Sequence, residues 1–153
     1  MNGNLQAATA MYDLSFRGNP KDLATIQALG NALMKQKMWG RAISNYRQAL
    51  EYFPNEPYLL EKLGTLLISC SDPTLRNIDE GMIFSDRAFI HKASTSDITI
   101  PAGKSLAMAY AAHGDYRTAY TYIEWVLGVA RIQKAPAEYL EELETLLKQS
   151  KNQ

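Results

Sequence analysis

The sequence predicts an all-α fold in which helix pairs stack into a solenoid, and three observations predict it. Five residues recur at a single spacing: Ala8 as Ala42, Tyr12 as Tyr46, Pro20 as Pro54, and Leu29-Gly30 as Leu63-Gly64, each 34 residues later. A fixed period of that length marks units that bury their apolar faces only against one another. Small residues at Gly30, Ala42, Gly64, Gly81 and Ala88 leave room for paired helices to approach closely, while Leu and Tyr fill the remaining gaps. No run alternates apolar and polar residues convincingly, so no sheet is expected.

In the spacing of these residues the chain resembles the tetratricopeptide-repeat family. That family's first helix carries Leu-Gly at repeat positions 7 and 8. Its second carries small residues at 20 and 27, an aromatic at 24 and Pro at 32. Residues 5–17 resemble a second helix alone, through Ala8, Tyr12 and Ser15, so the chain opens on half a repeat. Such an opening favours excision from a longer chain. Asn19-Pro20-Lys21-Asp22 reads as a helix start with Asn19 as N-cap, Pro at N1 and an acid at N3. Residues 23–56 match a complete repeat, with Leu29, Gly30, Ala42, Tyr46, Ala49 and Pro54 in place and Trp39 beside the turn. Residues 57–95 match a second repeat stretched by five residues, with Leu63, Gly64 and Leu67 on its first helix and Gly81 and Ala88 on its second. Ser85 stands where the aromatic is expected. The extra length falls in the turn-rich Ser71–Asn77, and Asn77-Ile78-Asp79-Glu80 has the form of a capping box.

After a linker of about four residues, positions 100–133 match a third repeat through Leu106, Tyr110, Gly114, Tyr116 and Ala119. Its first helix is expected to start near Pro101, and Asp115 offers a cap for its second. Tyr12, Tyr46 and Tyr110 occupy core places, whereas Tyr120, Tyr122 and Trp125 crowd one helix and some of them must face outward. Residues 136–150 read as a capping helix. Tyr139, Leu140, Leu143, Leu146 and Leu147 share one face, with Glu138, Glu141, Glu142 and Glu144 elsewhere and Lys148 and Lys151 suited to the carboxyl end. A repeat array needs such a helix to cover its last stacking face.

Composition narrows the function. Sixteen basic residues balance sixteen acidic ones among 153. That zero net charge argues against a nucleic-acid binder, which needs cations to displace condensed counterions. No apolar run approaches the ~20 residues of a membrane span, and Met1–Gln6 lacks the basic and apolar regions of a secretory signal. A cytoplasmic location is favoured, with a periplasmic domain of a longer protein left open. Cys70 is the single cysteine and can form no internal disulfide. With His91 and His113 it shows no zinc spacing, so no metal is expected. Pro101-Ala102-Gly103-Lys104-Ser105 ends like a phosphate-binding loop, but Ile98 stands where the leading glycine is required. No nucleophile, base and orienting group form a local signature, so neither catalysis nor a cofactor is expected.

The resemblance implies a concave surface lined by first helices, at repeat positions 2, 5, 9, 12 and 13, with 6 contributing. Repeat one would present Ala24, Gln27, Asn31, Met34 and Lys35. Repeat two would present Tyr58, Glu61, Lys62, Thr65, Ile68 and Ser69, and repeat three Lys104, Ser105, Met108, Ala111 and Ala112. Such a surface suits a peptide with apolar anchors and an acidic group. Some family members clamp a chaperone's terminal carboxylate with Lys and Asn side chains. Here Asn31 alone matches that clamp, with Gln27, Lys62, Pro101 and Ser105 in the other places, so a co-chaperone role is not carried over. The expected function is a non-catalytic module binding a peptide segment of another protein. The alternative is an assembly, scaffold or secretion-chaperone-like module acting through convex or terminal surfaces. Self-association through the terminal repeats stays open.

Overall fold

The computed structural model describes residues 2–19, 21–91 and 94–151, with the side chains of 2–5, 8, 16 and 17 left aside. The Ala8 side chain and Pro20, both used to set the period, lie outside the described residues. Eight helices follow one another among them: α1 (Asn2–Gly18), α2 (Leu23–Lys35), α3 (Trp39–Tyr52), α4 (Pro57–Ser69), α5 (Ile78–Ile90), α6 (Ser96–Ala112), α7 (Tyr116–Ile132) and α8 (Ala137–Lys151). Each helix packs on its successor, and α4 also packs on α6. The fold is an α-α superhelix in which α2/α3, α4/α5 and α6/α7 are helix pairs, α1 is a leading half-repeat helix, and α8 caps the end.

Local chemistry sets the boundaries. Asp22, Asn77 and Asp115 accept the backbone N–H of Ala24, Glu80 and Thr118 at 3.1 Å each, satisfying donors that a helix start leaves open. The cap of α2 is therefore Asp22, not Asn19, and the helix begins three residues later than the Pro20 signal suggested. The ends of α2, α6 and α7 share one device. A residue with positive φ follows the helix (Lys37 at 57°, Gly114 at 80°, Lys134 at 54°). The next N–H then reaches back five residues, from Met38 to Leu33, Asp115 to Tyr110, and Ala135 to Ala130, at 2.9–3.0 Å. This is the Schellman closure. The five-residue extension after α4 is folded rather than loose. Asp72 Oδ1 accepts from the Thr74 N–H and hydroxyl, the Arg76 guanidinium donates to the Cys70 carbonyl, and Asn77 N–H donates to the Leu67 carbonyl.

Helix α6 corrects a second boundary. It starts at Ser96, so the four residues expected as a linker belong to the helix, and Pro101 lies inside it rather than at its start. Proline cannot donate to the carbonyl four residues back. The turn ahead of it is instead held by Ile98 and Thr99 donating to the Thr95 carbonyl at 3.0 and 2.8 Å.

The core runs along the array. Ile26, Leu29, Leu33, Tyr46, Leu63 and Leu67 meet between α2, α3 and α4, and Ala107, Ile123, Val126 and Leu143 meet between α6, α7 and α8. Burying one such large side chain stabilises the fold by roughly 1.5–3 kcal/mol. Tyr46 is fully buried. Tyr12, expected in the core, is 36% exposed, and Tyr110 is half-buried. Ser85, in the expected aromatic place, is fully buried. The two helices approach closely there: a Cβ on Gly64 would lie 2.5 Å from Ser85 Oγ and 2.7 Å from its backbone N.

Candidate functional site

The face formed by α2, α4 and α6 continues onto α8. On α2, Asn31 and Lys35 are exposed, and Gln27 and Met34 are half-buried. Helix α4 adds Tyr58, Lys62 and Thr65, all half-buried, and α6 adds half-buried Lys104 and exposed Met108. Nine of the 13 residues of α4 are buried because α3, α5 and α6 all pack on it. Ile68 and Ser105 are buried as well, so neither offers the surface expected of it.

Glu61 departs most from expectation. It is 1% exposed and cannot meet a partner directly. One carboxylate oxygen lies 2.9 Å from Lys62 Nζ, and the other accepts from the Thr65 hydroxyl at 3.1 Å. Thr65 Oγ1 lies 2.8 Å from Ser105 Oγ on α6, and with its proton on Glu61 it accepts from Ser105. Burial pushes the Glu61 carboxyl above the usual range, against the opposing pull of Lys62 and Thr65. The Tyr46 phenol is driven upward too, chiefly by its own burial, with Tyr58 and Glu61 adding to it. On the rim, Tyr58 donates to Asn31 Oδ1 at 2.9 Å, and Lys62 Nζ sits 5.3 Å from the Tyr58 ring. A polar chain thus joins α2, α4 and α6 through the floor of the face.

Lys104 is also committed. Its Nζ lies 2.6 Å from Glu142 Oε1 and 5.3 Å from the Tyr139 ring, both on α8. Sequence reasoning placed these residues on a cap and not in the face. A signal was there: carrying the 34-residue register past 133 puts Glu138 and Glu142 at lining positions 5 and 9. Below Met108 a cleft of about 400 Å³ opens between α6, α7 and α8. Ala107, Ala111, Ile123 and Leu146 form its apolar wall, with Gln149 and Ser150 at its polar edge. That volume lies within the range of side-chain and small-ligand sites. The expected residues therefore form two groups, Asn31–Tyr58–Lys62–Thr65 around α4 and Lys104–Met108 beside α8. Gln27, Met34 and Lys35 make no side-chain bond in common with either.

Among the described residues no helix is long and apolar enough to cross a membrane, and no three His, Cys, Asp or Glu side chains gather as a metal site.

Helix pairs stacked one on the next define an α-solenoid repeat protein. The Leu-Gly first helices, the buried small residues and Tyr46 are features of the tetratricopeptide repeat. The profile of that repeat matches residues 25–56. Such repeats generally mediate protein–protein interaction and are typically non-catalytic. No curated protein matches the sequence. Among solved structures, the fold is similar to a crystal structure of MamA protein, with a TM-score of 0.70 at 15% identity over 99% of this chain and 79% of that one. A second MamA crystal structure gives 0.69 at 16% identity, covering 99% and 89%. The MamA RS-1 ArsTM double mutant gives 0.67 at 15%, covering 99% and 87%. At these identities the likeness establishes the fold.

Proposed function

We propose that the chain is a non-catalytic interaction module that takes a peptide segment of another protein along the face of α2, α4, α6 and α8. The observation that carries this reading is the pairing of a pre-ordered polar floor with an apolar cleft on one continuous surface. The bonds from Tyr58 to Asn31 and from Ser105 to Thr65 hold three helices in a fixed relation, which lowers the ordering cost of binding. The cleft below Met108 accepts an apolar anchor, and flexible Met34 and Met108 adapt to its shape. Lys62 and Lys104 are each neutralised by a carboxylate of the same chain. Specificity for an acidic group then rests on exposed Lys35, and apolar and hydrogen-bonding contacts carry most of the affinity.

The test is a selection of binders from a random peptide library, followed by titration against variants. Lys35→Glu and Met108→Arg, both at exposed positions, are expected to lower affinity at least tenfold while the melting temperature holds. Ile83→Arg, on the outer surface of α5, is expected to leave it unchanged. Peptides that lose binding to Ile83→Arg, and keep it with the two groove variants, would overturn the reading.

A further inference from the structure

The outward face of α7 carries a pattern that the concave reading does not use. At 3.6 residues per turn, Thr121, Trp125, Gly128 and Ile132 fall on one stripe, with Glu124 and Arg131 along one flank. Trp125 is 42% exposed and Ile132 80%. Trp125 is fixed by an edge-on contact with Phe89 of α5, ring centroids 4.8 Å apart, so its exposed side is presented rather than loose. Gly128, between them in mid-helix, has no internal reason to be glycine: a Cβ there would meet nothing within 4 Å. Glycine in a helix interior is destabilising relative to alanine, and a bare backbone flanked by Trp and Ile lets a second helix approach closely.

The charges say which helix. When two copies of α7 cross antiparallel at Gly128, residues opposite one another have numbers summing to about 256. Flank residues in an antiparallel pair face the same flank of the partner, so Glu124 of each copy meets Arg131 of the other. Trp125 of each copy lies against Ile132 of the other. The face is self-complementary, as a two-fold interface requires. Arg131 is available for this. Its side chain is 57% exposed and uses one terminal nitrogen on Glu144 at 2.7 Å, leaving other guanidinium donors for a partner.

We propose that this face of α7 pairs two copies of the chain about a two-fold axis through Gly128. The concave faces stay open, so the dimer presents two peptide grooves and gains avidity for a partner with repeated segments. The proposal stands on α7 alone and does not depend on the peptide reading.

The test is sedimentation equilibrium of the full chain from about 1 to 200 µM, the range in which an interface at the small end of the stable class dissociates. The mass is expected to rise from 17.1 kDa toward roughly twice that value. Gly128→Leu, which has open space on its own chain, is expected to hold the monomer throughout. Glu124→Arg and Arg131→Glu each set like charges opposed twice, and each is expected to weaken association at least tenfold. The double variant, with the charges exchanged, is expected to restore it. Circular dichroism melts identify any variant that fails to fold, and the charge-exchanged double variant then decides. A monomer at every concentration overturns the proposal, as does association that Gly128→Leu leaves intact. Failure of the double variant to recover association overturns it too.

Discussion

Gly30 on α2 and Tyr46 on α3 share one space: a Cβ on Gly30 would lie 2.4 Å from the Tyr46 hydroxyl oxygen and 2.5 Å from its ring. The tyrosine is fully buried and closes the gap that the glycine leaves. Gly30→Ala is therefore expected to cost about 1–3 kcal/mol by overpacking, despite alanine's better helix propensity. Gly128→Ala, measured where the chain is monomeric, is expected to gain about 0.5–1 kcal/mol from the same exchange in open space. Urea unfolding of the two variants checks both signs, and a gain at Gly30 would contradict the contact.

The three Schellman closures yield a second contrast. Gly114 adopts its left-handed conformation without cost, whereas Lys37 and Lys134 adopt theirs with a side chain. That conformation disfavours L residues by roughly 1–2 kcal/mol, and glycine's greater freedom in the unfolded chain takes back part of the relief. Lys37→Gly and Lys134→Gly are each expected to stabilise by up to about 1 kcal/mol, and Gly114→Ala to destabilise by about as much. Both lysines are exposed, so thermal melts read the backbone effect with little loss of packing.

The capping of α5 supports a third expectation. Asn77 Oδ1 accepts from Glu80 N–H, and Asn77 Nδ2 donates to Glu80 Oε2 at 3.0 Å. Glu80 also receives both bonds from Arg47 of α3, at 2.7 and 2.9 Å. One residue thus ties the helix start to the neighbouring pair. Asn77→Ala is expected to cost about 1 kcal/mol, and Asn77→Asp less than that. Equal losses in chemical denaturation would show that the cap contributes nothing there.

Much of this architecture was legible in the sequence, because the repeat signal sits in residues whose size is fixed by helix contact. Leu29, Gly30, Tyr46, Leu63 and Gly64 can do little else at those spacings. The N-cap of α2 was misread because Asn19 and Asp22 both fit a cap, and only the bond to Ala24 separates them. Pro101 reads as a helix start because proline favours one, yet packing of α6 on α4 and α5 extends the helix a turn further back. The lining face was legible as positions but not as exposure. Whether position 5 faces solvent depends on how closely the next helix folds over it: Glu61, on the helix that α6 packs against, is fully buried, whereas Gln27 at the same position of repeat one is half-buried. Lys62 illustrates the consequence: it is the counter-charge of a buried carboxylate, so Lys62→Glu would disrupt the floor instead of probing the groove.

Glu61 also sets a pH dependence whose sign can be worked out. Its folded carboxyl is held above the ordinary range, foremost by burial, while in the unfolded chain it titrates near 4.3, roughly the free value. Between those values the folded state holds more protons than the unfolded one, so the group's contribution falls as pH rises. Its stabilising share is complete below the unfolded value and is lost by the time pH has passed the folded one. Asp22, Asp72 and Asp115 act oppositely, since hydrogen bonds from Thr25, Thr74 and Thr118 lower them and their contribution is lost on acidification. Comparing wild type with Glu61→Gln removes those shared terms. The amide keeps an acceptor for Thr65 but carries no charge, so its melting temperature relative to wild type is expected to be higher at pH 8 than at pH 5. In a chain of this size each kcal/mol appears as about 2–4 °C. An offset that stays constant between the two pH values would mean that Glu61 titrates as a solvated carboxylate, and the buried polar floor would have to be redrawn.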